Sequence, residues 1–154
     1  MSTPAIAAED APPPALARAL AAALGAVPEE TAWNAGGYLV CRFSSEAQVR
    51  ALAPDAAALA AHGDVQFIAT APGTGHDVVS RVFVPGAGIP EDSVTGSAHA
   101  VLAGFWAKRL GRPAFTAHQA SARGGTLSVR LEGARAILGG ACVTVVEGRF
   151  YLSG

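Results

Sequence analysis

The stretch that most constrains the fold is residues 93–112, which read SVTGSAHAVLAGFWAKRLGR. This stretch predicts a helix over Ser97–Leu110 without a wide polar face, and a helix that is apolar on nearly all sides is usually buried. Lys108 and Arg109 lie in its last turn, where cations interact favourably with the helix dipole, and Gly111 ends it. A chain with this segment is therefore expected to fold its other elements around one central helix.

The beginning of this helix carries most of the polar chemistry. Thr95 stands at the predicted N-cap. The next three residues, Gly96, Ser97 and Ala98, have backbone N–H groups without partners inside the helix, and such groups can bind an anion. Asp92 lies just upstream, so a carboxylate, hydroxyls and unpaired amides fall within one short segment. The alternative is an ordinary capped helix with an acid near its N-terminus, which is a common stabilising arrangement.

The rest of the chain predicts an α+β fold. Further helices are predicted over Pro14–Leu24, from a cap at Ser44 or Ser45 to Arg50, and over Pro54–His62. Strands are predicted over residues 37–43, 65–71, 77–84, 114–120, 126–131, 135–138, 141–146 and 149–152. Because the later strands form hairpins and do not alternate with helices, we expect a curved, mostly antiparallel sheet wrapped around the central apolar helix.

Bulk properties exclude several classes of function. The chain has 154 residues, which is about one domain, and residues 1–13 are expected to be a flexible arm or linker before a domain over residues 14–154. A formal net charge of −1 without a basic block argues against nucleic acid or an anionic membrane as a partner. No apolar run reaches the roughly 20 residues of a membrane span, and no signal-peptide pattern is visible, so we expect a cytoplasmic protein.

Several residues that resemble functional groups are expected to be structural. Cys41 and Cys142 lie in apolar runs that are typical of buried reduced thiols. The histidines at positions 62, 76 and 118 lack metal-ligand spacing, so no metal is expected. Glu91 is assigned a structural role, and His99, Phe105 and Trp106 are assigned to the core.

The segment Arg81–Ala100, RVFVPGAGIPEDSVTGSAHA, follows the pattern R-x-F-x-P-x-x-G-x-x-E-D-P-V-T-G-S-A, except that Ser93 replaces the proline. Residues 119–125, QASARGG, follow Q-x-S-x-R-G-G. In both motifs the chain resembles the PhzF-like isomerases of the phenazine-biosynthesis type, which share the diaminopimelate-epimerase fold. The resemblance covers residues 15–152 and implies the C-terminal lobe of a two-lobed protein about twice this length.

The resemblance implies a cofactor-independent isomerase that shifts a proton on a small carboxylic acid in a cleft between two lobes. It implies that Asp92 is catalytic, and that the substrate is bound by Thr95, Gly96, Ser97, Ala98, Arg123 and Gly124. For Arg123 the alternative is an exposed arginine in a tight turn. A general acid/base glutamate and a Gly-His motif are expected from the other lobe. No glutamate of this chain is a candidate, and the pair Gly75-His76 lies within the C-terminal lobe.

Half of such a site permits three arrangements. The chain could act with a separately encoded N-terminal lobe, it could be the inactive product of a truncated or degenerate gene, or two copies could associate and use the shared face for another purpose. The non-enzymatic alternative is a stand-alone lobe that binds a small carboxylate or a partner protein. Because a lobe without its mate exposes apolar surface, we expect a dimer or larger assembly.

Overall fold

The central helix of the fold is α4, Gly96–Leu110, in a computed structural model that describes residues 1–151. Residues 98–103 of this helix are all buried, and so are Phe105 and Trp106. Protein therefore covers most of the circumference of α4, as its apolar sequence predicts. Gly111 closes the helix in the left-handed conformation at φ 65°, which a residue with a side chain rarely adopts.

Besides α4, residues 1–151 form three shorter α-helices, one 3-10 turn at Pro85–Ala87 and nine strands. The helices are α1 (Pro14–Leu24), α2 (Glu46–Ala51) and α3 (Ala56–Ala60). The strands are β1 (Ser2–Pro4), β2 (Glu30–Asn34), β3 (Tyr38–Arg42), β4 (Gln66–Pro72), β5 (Val78–Val84), β6 (Ile89–Asp92), β7 (Ala114–Gln119), β8 (Gly125–Glu132) and β9 (Arg135–Gly140). None of the helices within residues 1–151 is long and apolar enough to cross a membrane.

All nine strands belong to one mixed sheet. Its order is β1-β9-β8-β7-β5-β4-β3-β2, and β6 adds to β5 outside this path. The β3–β4 and β5–β7 pairs are parallel, and the remaining pairs are antiparallel. The sheet curls into a half-barrel around α4, so the predicted α+β fold with a curved, mostly antiparallel sheet is confirmed.

The two faces of the sheet bury separate cores. Apolar side chains of α4 pack against one face, where Val82, Phe115, Leu127 and Val129 contribute from the strands. Helices α1, α2 and α3 cover the other face over β3, β4 and β5. Two neighbouring β5 residues show the alternation, because Val82 points to α4 whereas Phe83 points to the outer helices.

The first residues are more ordered than the predicted flexible arm. Ser2–Pro4 pairs with β9 in antiparallel register, and Asp10 forms a single bridge with Trp33 of β2. The reason is that the outer edge of β9 offers unpaired backbone groups, which an extended segment of any composition can satisfy. The separation of residues 1–13 from a domain over residues 14–154 stays a prediction.

The predicted C-terminal hairpin is not formed within the described residues. No strand lies within residues 141–151, and Leu152, which ends the second predicted strand, lies outside them. The strand register explains why β9 ends here. Gly140, the last residue of β9, pairs with Leu127 of β8, and β8 begins only two residues before Leu127. Beyond Gly140 the chain therefore soon runs past the end of its neighbour. Cys142 lies in this segment and is exposed, so its predicted burial is wrong, whereas Cys41 is buried and unpaired as predicted.

Candidate functional site

Arg81 of β5 fixes the segment that leads to the start of α4. Its guanidinium donates two hydrogen bonds to the carboxylate of Glu91, at 2.8 and 3.0 Å. The same group donates to the carbonyl oxygens of Val49, Arg50 and Leu52 at the end of α2. Glu91 therefore holds β6 against the sheet, which agrees with its predicted structural role.

The loop between β6 and α4 is closed by the side chain of Asp92. Its Oδ1 accepts from the backbone N–H of Ser93 at 2.7 Å, and its Oδ2 accepts from the hydroxyl of Thr95 at 2.5 Å. Thr95 occupies the N-cap position, as predicted, but no side chain within residues 1–151 caps α4. Asp92 is half-buried, so its carboxylate is held in one orientation beside the helix start.

Gln119, at the end of β7, supports this loop from inside the protein. Its Oε1 accepts from the N–H of Thr95 at 2.8 Å, and its Nε2 donates to the carbonyl of Asp92 at 2.8 Å and to the Thr95 hydroxyl at 3.2 Å. The side chain is fully buried and all its polar groups are used. The sequence placed Gln119 in a motif but did not indicate this function, because the contact joins residues 24 or more positions apart.

The turn after β7 is joined to the same loop by two further contacts. The hydroxyl of Ser121 donates to the carbonyl of Ser93 at 2.7 Å and accepts from the N–H of Gly124 at 3.1 Å. Gly125 packs against Val94 so closely that an added Cβ would lie 2.4 Å from a methyl group. The two matched motifs therefore form one continuous loop cluster at the start of α4.

A concavity of about 920 Å³ opens beside this loop cluster. Gly96, Arg123 and Gly124 line it, together with residues of β8, β9 and the segment that follows β9. Arg123 is exposed, and no carboxylate within residues 1–151 forms a salt bridge with it. A free guanidinium and the beginning of a helix on one wall create a surface that favours an anion.

The other predicted site residues are placed differently. The Ser97 hydroxyl lies 3.2 Å from both amide atoms of Gln66 on β4, a partner that the sequence did not identify. Ala98 is fully buried, backbone included, and neither Ser97 nor Ala98 is among the residues that line the concavity. The structure thus places Gly96, Arg123 and Gly124 on the concavity, while Asp92 and Thr95 form the adjoining network.

The Gly75-His76 pair is not part of this network. The ring of His76 stacks on that of His118 with centroids 5.0 Å apart, and the Thr126 hydroxyl lies 3.3 Å from a nitrogen of each ring. Within residues 1–151 no three or more His, Cys, Asp or Glu side chains are arranged to hold a metal ion. A second concavity, of about 560 Å³, lies near the other end of α4, and its charged residues Lys108 and Arg109 pair with Glu9 and Glu30.

His99 is a buried neutral histidine behind the site, as its assignment to the core predicts. Its Nδ1 lies 2.7 Å from the carbonyl of Thr95, which can only accept, so Nδ1 carries the proton. Its Nε2 lies 3.4 Å from the hydroxyl of Ser80. Burial lowers the pKa of His99, and the contact with the Thr95 carbonyl opposes that shift in part.

This burial predicts a pH dependence of stability. Below pH 6.5 the histidine binds a proton in the unfolded chain, whereas burial disfavours protonation of His99 in the folded protein. The free energy of unfolding should therefore fall by up to about 1.4 kcal/mol for each unit by which the pH decreases. Burial and the nearby His76 also lower the pKa of His118, which adds a contribution of the same sign. Urea unfolding between about pH 5 and pH 8 measures the slope. His99→Gln should flatten it, with His118→Gln as the comparison, and an unchanged slope in His99→Gln would contradict the assignment.

Comparison with protein-family models matches residues 1–148 to the phenazine biosynthesis-like proteins. An isomerase of Pseudomonas aeruginosa, itself uncharacterized, is 48% identical over 131 residues, which are 85% of this chain and 50% of that protein. A similar isomerase of Halalkalibacterium halodurans is 37% identical over 131 residues, covering 84% of this chain and 49% of that protein. The chain thus spans about half the length of the curated relatives it matches.

A solved structure shows the same similarity in three dimensions. The crystal structure of a phenazine biosynthesis protein of the PhzF family from Enterococcus faecalis superposes with a TM-score of 0.84 at 37% identity. The match covers 99% of this chain and 57% of that one. The half-barrel around α4 is therefore an architecture that occurs within a longer protein.

Proposed function

The chain belongs to the PhzC-PhzF family of phenazine biosynthesis-like proteins, and from this premise we propose that it contributes the anion-binding half of an isomerase site. The substrate class is a small carboxylic acid. The reaction removes a proton from one carbon of the acid and returns a proton at another carbon, without a cofactor. A cytoplasmic location is part of this proposal.

The observation that carries the proposal is the uncapped start of α4 beside the 920 Å³ concavity. The first-turn amides have no side-chain acceptor, and Arg123 on the same concavity has no carboxylate partner within residues 1–151. Both features favour a carboxylate over a neutral ligand, because a charged acceptor forms the stronger hydrogen bond with an N–H donor. Gly96 would bind it through its N–H group at the start of the helix, and Arg123 and Gly124 line the same concavity.

Asp92 is the group of this chain that we assign to the proton chemistry. It is a half-buried carboxylate whose two oxygens are oriented by Ser93 and Thr95. A shift of a proton between two carbons requires a second acid/base group. We propose that a separate lobe supplies this group, one that corresponds to the half of the relatives that this chain does not cover. The alternative source is a second copy of the chain.

Deuterium exchange tests the proposed chemistry. The chain is incubated in D₂O with vinylacetate or sorbate, and incorporation at carbon is followed by NMR. We expect exchange that falls at least about tenfold in Asp92→Asn, because a neutral amide cannot accept the proton. The far-UV circular dichroism spectrum and the urea midpoint of the same variant are the controls for folding. Exchange that persists unchanged in Asp92→Asn would refute the assignment of Asp92.

A second candidate function is a non-catalytic lobe that binds a small carboxylate or a partner protein. This second function would be favoured if the chain binds a carboxylate without deuterium exchange and if Ser97→Ala binds it more weakly. The observation that supports a protein partner is the segment after β9, where five large apolar side chains are each at least 83% exposed. These side chains are Val143, Val145, Val146, Phe150 and Tyr151. Apolar side chains exposed together along one segment commonly mark a contact with another chain.

The exposed segment predicts self-association. We expect the chain to form a dimer or larger assembly at high concentration, because burial of these side chains is favourable by about 1.5–3 kcal/mol each. Light scattering after size-exclusion chromatography measures the mass. The double variant Val143→Asp/Val145→Asp should shift the population toward the monomer. A single monomeric species of the unaltered chain at high concentration would refute this expectation.

A further inference from the structure

The segment after β9, residues 141–151, carries most of the exposed apolar surface of the protein. Its five large apolar side chains are each at least 83% exposed, and elsewhere in the described chain only Met1, Val27 and Ile89 are exposed large apolar residues. Within residues 1–151 no backbone hydrogen bond joins residues 142–151 to the rest of the domain. Unpaired backbone groups combined with exposed apolar side chains are typical of a strand that lacks its neighbour.

The end of this segment is symmetric in chemical character about one glycine. Residues 145–151 read VVEGRFY, with Gly148 at the centre. One step from the glycine stand Glu147 on one side and Arg149 on the other, and the next two positions on each side are apolar. In an antiparallel pair of two copies centred on Gly148, each residue faces the residue at the same distance on the other side of the glycine.

This pairing matches side chains that interact favourably across strands. Opposite charges, and pairs of a β-branched and an aromatic side chain, are both favourable when they lie directly opposite each other. A two-fold axis through the glycine makes every pair occur twice. The opposed residues would be Glu147 with Arg149, Val146 with Phe150, and Val145 with Tyr151.

Other pairings of the same segment are less favourable. An antiparallel pair centred on Glu147 would place two carboxylates opposite each other, and a parallel pair in register would do the same. A hairpin within one chain that turns at Glu147 and Gly148 would leave Val146 opposite Arg149, so the two charged residues would not pair. The order of residues therefore favours a second copy of the chain in the register centred on Gly148.

We propose that residues 145–151 form the contact of a homodimer, as a two-stranded antiparallel ribbon with Gly148 on the two-fold axis. The inference rests on the self-association proposed above and adds the geometry of the contact. Because a two-stranded ribbon alone is only marginally stable in water, the dimer is weak and forms at high concentration.

Reversal of charge tests the register. Glu147→Arg places like charges opposite each other at two points of the dimer, and so does Arg149→Glu. Each variant alone should dimerise about tenfold more weakly in sedimentation equilibrium at low ionic strength. An equimolar mixture of the two variants should dimerise at least as well as the unaltered chain, because two positive positions of one copy then face two negative positions of the other. The double variant Glu147→Arg/Arg149→Glu should recover in the same way.

Arg18→Glu is the control for net charge. Arg18 is exposed and lies outside the segment, so this variant changes the net charge as much as Arg149→Glu and should dimerise like the unaltered chain. Equal dimerisation of all the variants would overturn the register and leave the self-association intact, whereas a monomer at every concentration would overturn both. The isomerase chemistry is decided separately, by the D₂O experiment.

Disulfide trapping provides a second readout in a Cys142→Ser background, which lacks the exposed thiol. Gly148→Cys adds a side chain whose Cβ has no neighbour within 4 Å in the monomer. Opposite Cα atoms of an antiparallel pair lie roughly 4.5–5.5 Å apart, which a disulfide can span, so mild oxidation should link two copies. Thr144→Cys is the matched control, because its two copies would lie about 27 Å apart and should crosslink at least about tenfold more slowly. Equal crosslinking rates would overturn the proposed pairing.

Discussion

Replacement of Trp106 by alanine is expected to lower the free energy of unfolding by about 4 kcal/mol, the middle of the range for large aromatic core side chains. Trp106 is 3% exposed on α4, and it packs in the core between the helix and the sheet. Its indole N–H also donates to the Thr70 hydroxyl of β4 at 3.0 Å, so the ring joins helix and sheet by packing and by a hydrogen bond. Urea unfolding followed by circular dichroism measures the loss.

Trp106→Phe is the matched control for this prediction. It keeps most of the ring volume and removes the indole N–H, so the expected loss is only about 1 kcal/mol. The Thr70 hydroxyl keeps its own bond to the Val79 carbonyl at 2.8 Å. A loss below about 1 kcal/mol in Trp106→Ala would mean that the contact between α4 and the sheet contributes little to stability.

Replacement of Arg81 by methionine is expected to cost about 3 kcal/mol of unfolding free energy, because it leaves a partly buried carboxylate without its partner. The Arg81 and Glu91 side chains are only 13% and 24% exposed, and the guanidinium also serves three carbonyl oxygens at the end of α2. Methionine retains the length of the side chain, so the loss reports the polar contacts. Thermal and urea unfolding measure it.

Arg50 supplies the comparison for Arg81. It also pairs with a glutamate, Glu46, but its side chain is 48% exposed. An exposed pair of this kind contributes about 0.3–0.5 kcal/mol, so Arg50→Met should have a small effect. Equal losses in the two variants would show that burial of the Arg81–Glu91 pair does not determine its contribution. A double variant Arg81→Met/Glu91→Gln should recover part of the loss, since it removes the unpaired charge.

The sequence predicted most elements because their signals are local. Pro14–Leu24 has a proline at its start and a glycine after its end, and the structure has the helix at the predicted bounds. The helix at Gly96–Leu110 follows from apolar composition and cations in the last turn. The β2 strand was missed, since Glu30–Asn34 does not alternate and is ordered by its pairing with β3. The hairpin after Gly140 was predicted from a pattern that, within residues 141–151, has no neighbouring strand.

The candidate site was predicted in part. The motif around Asp92 and Thr95 indicated where polar groups gather, and the structure places Gly96 and Arg123 at one concavity. The roles of Gln66 and Gln119 were not predicted, because each contacts a residue of α4 or its preceding loop from a strand distant in sequence. Local patterns report which residues precede a helix. They do not report which side chain from another strand meets them.

The pairing of β1 with β9 has a consequence for the folding pathway. Ser2 is paired with Ile137, so this pair of strands joins residues separated by almost the whole described chain. Contacts of such long separation form slowly, since the loop entropy is lost before the hydrogen bonds compensate for it. The half-barrel edge is therefore expected to close in a late kinetic step, after the hairpins β7–β8 and β8–β9 have assembled on α4.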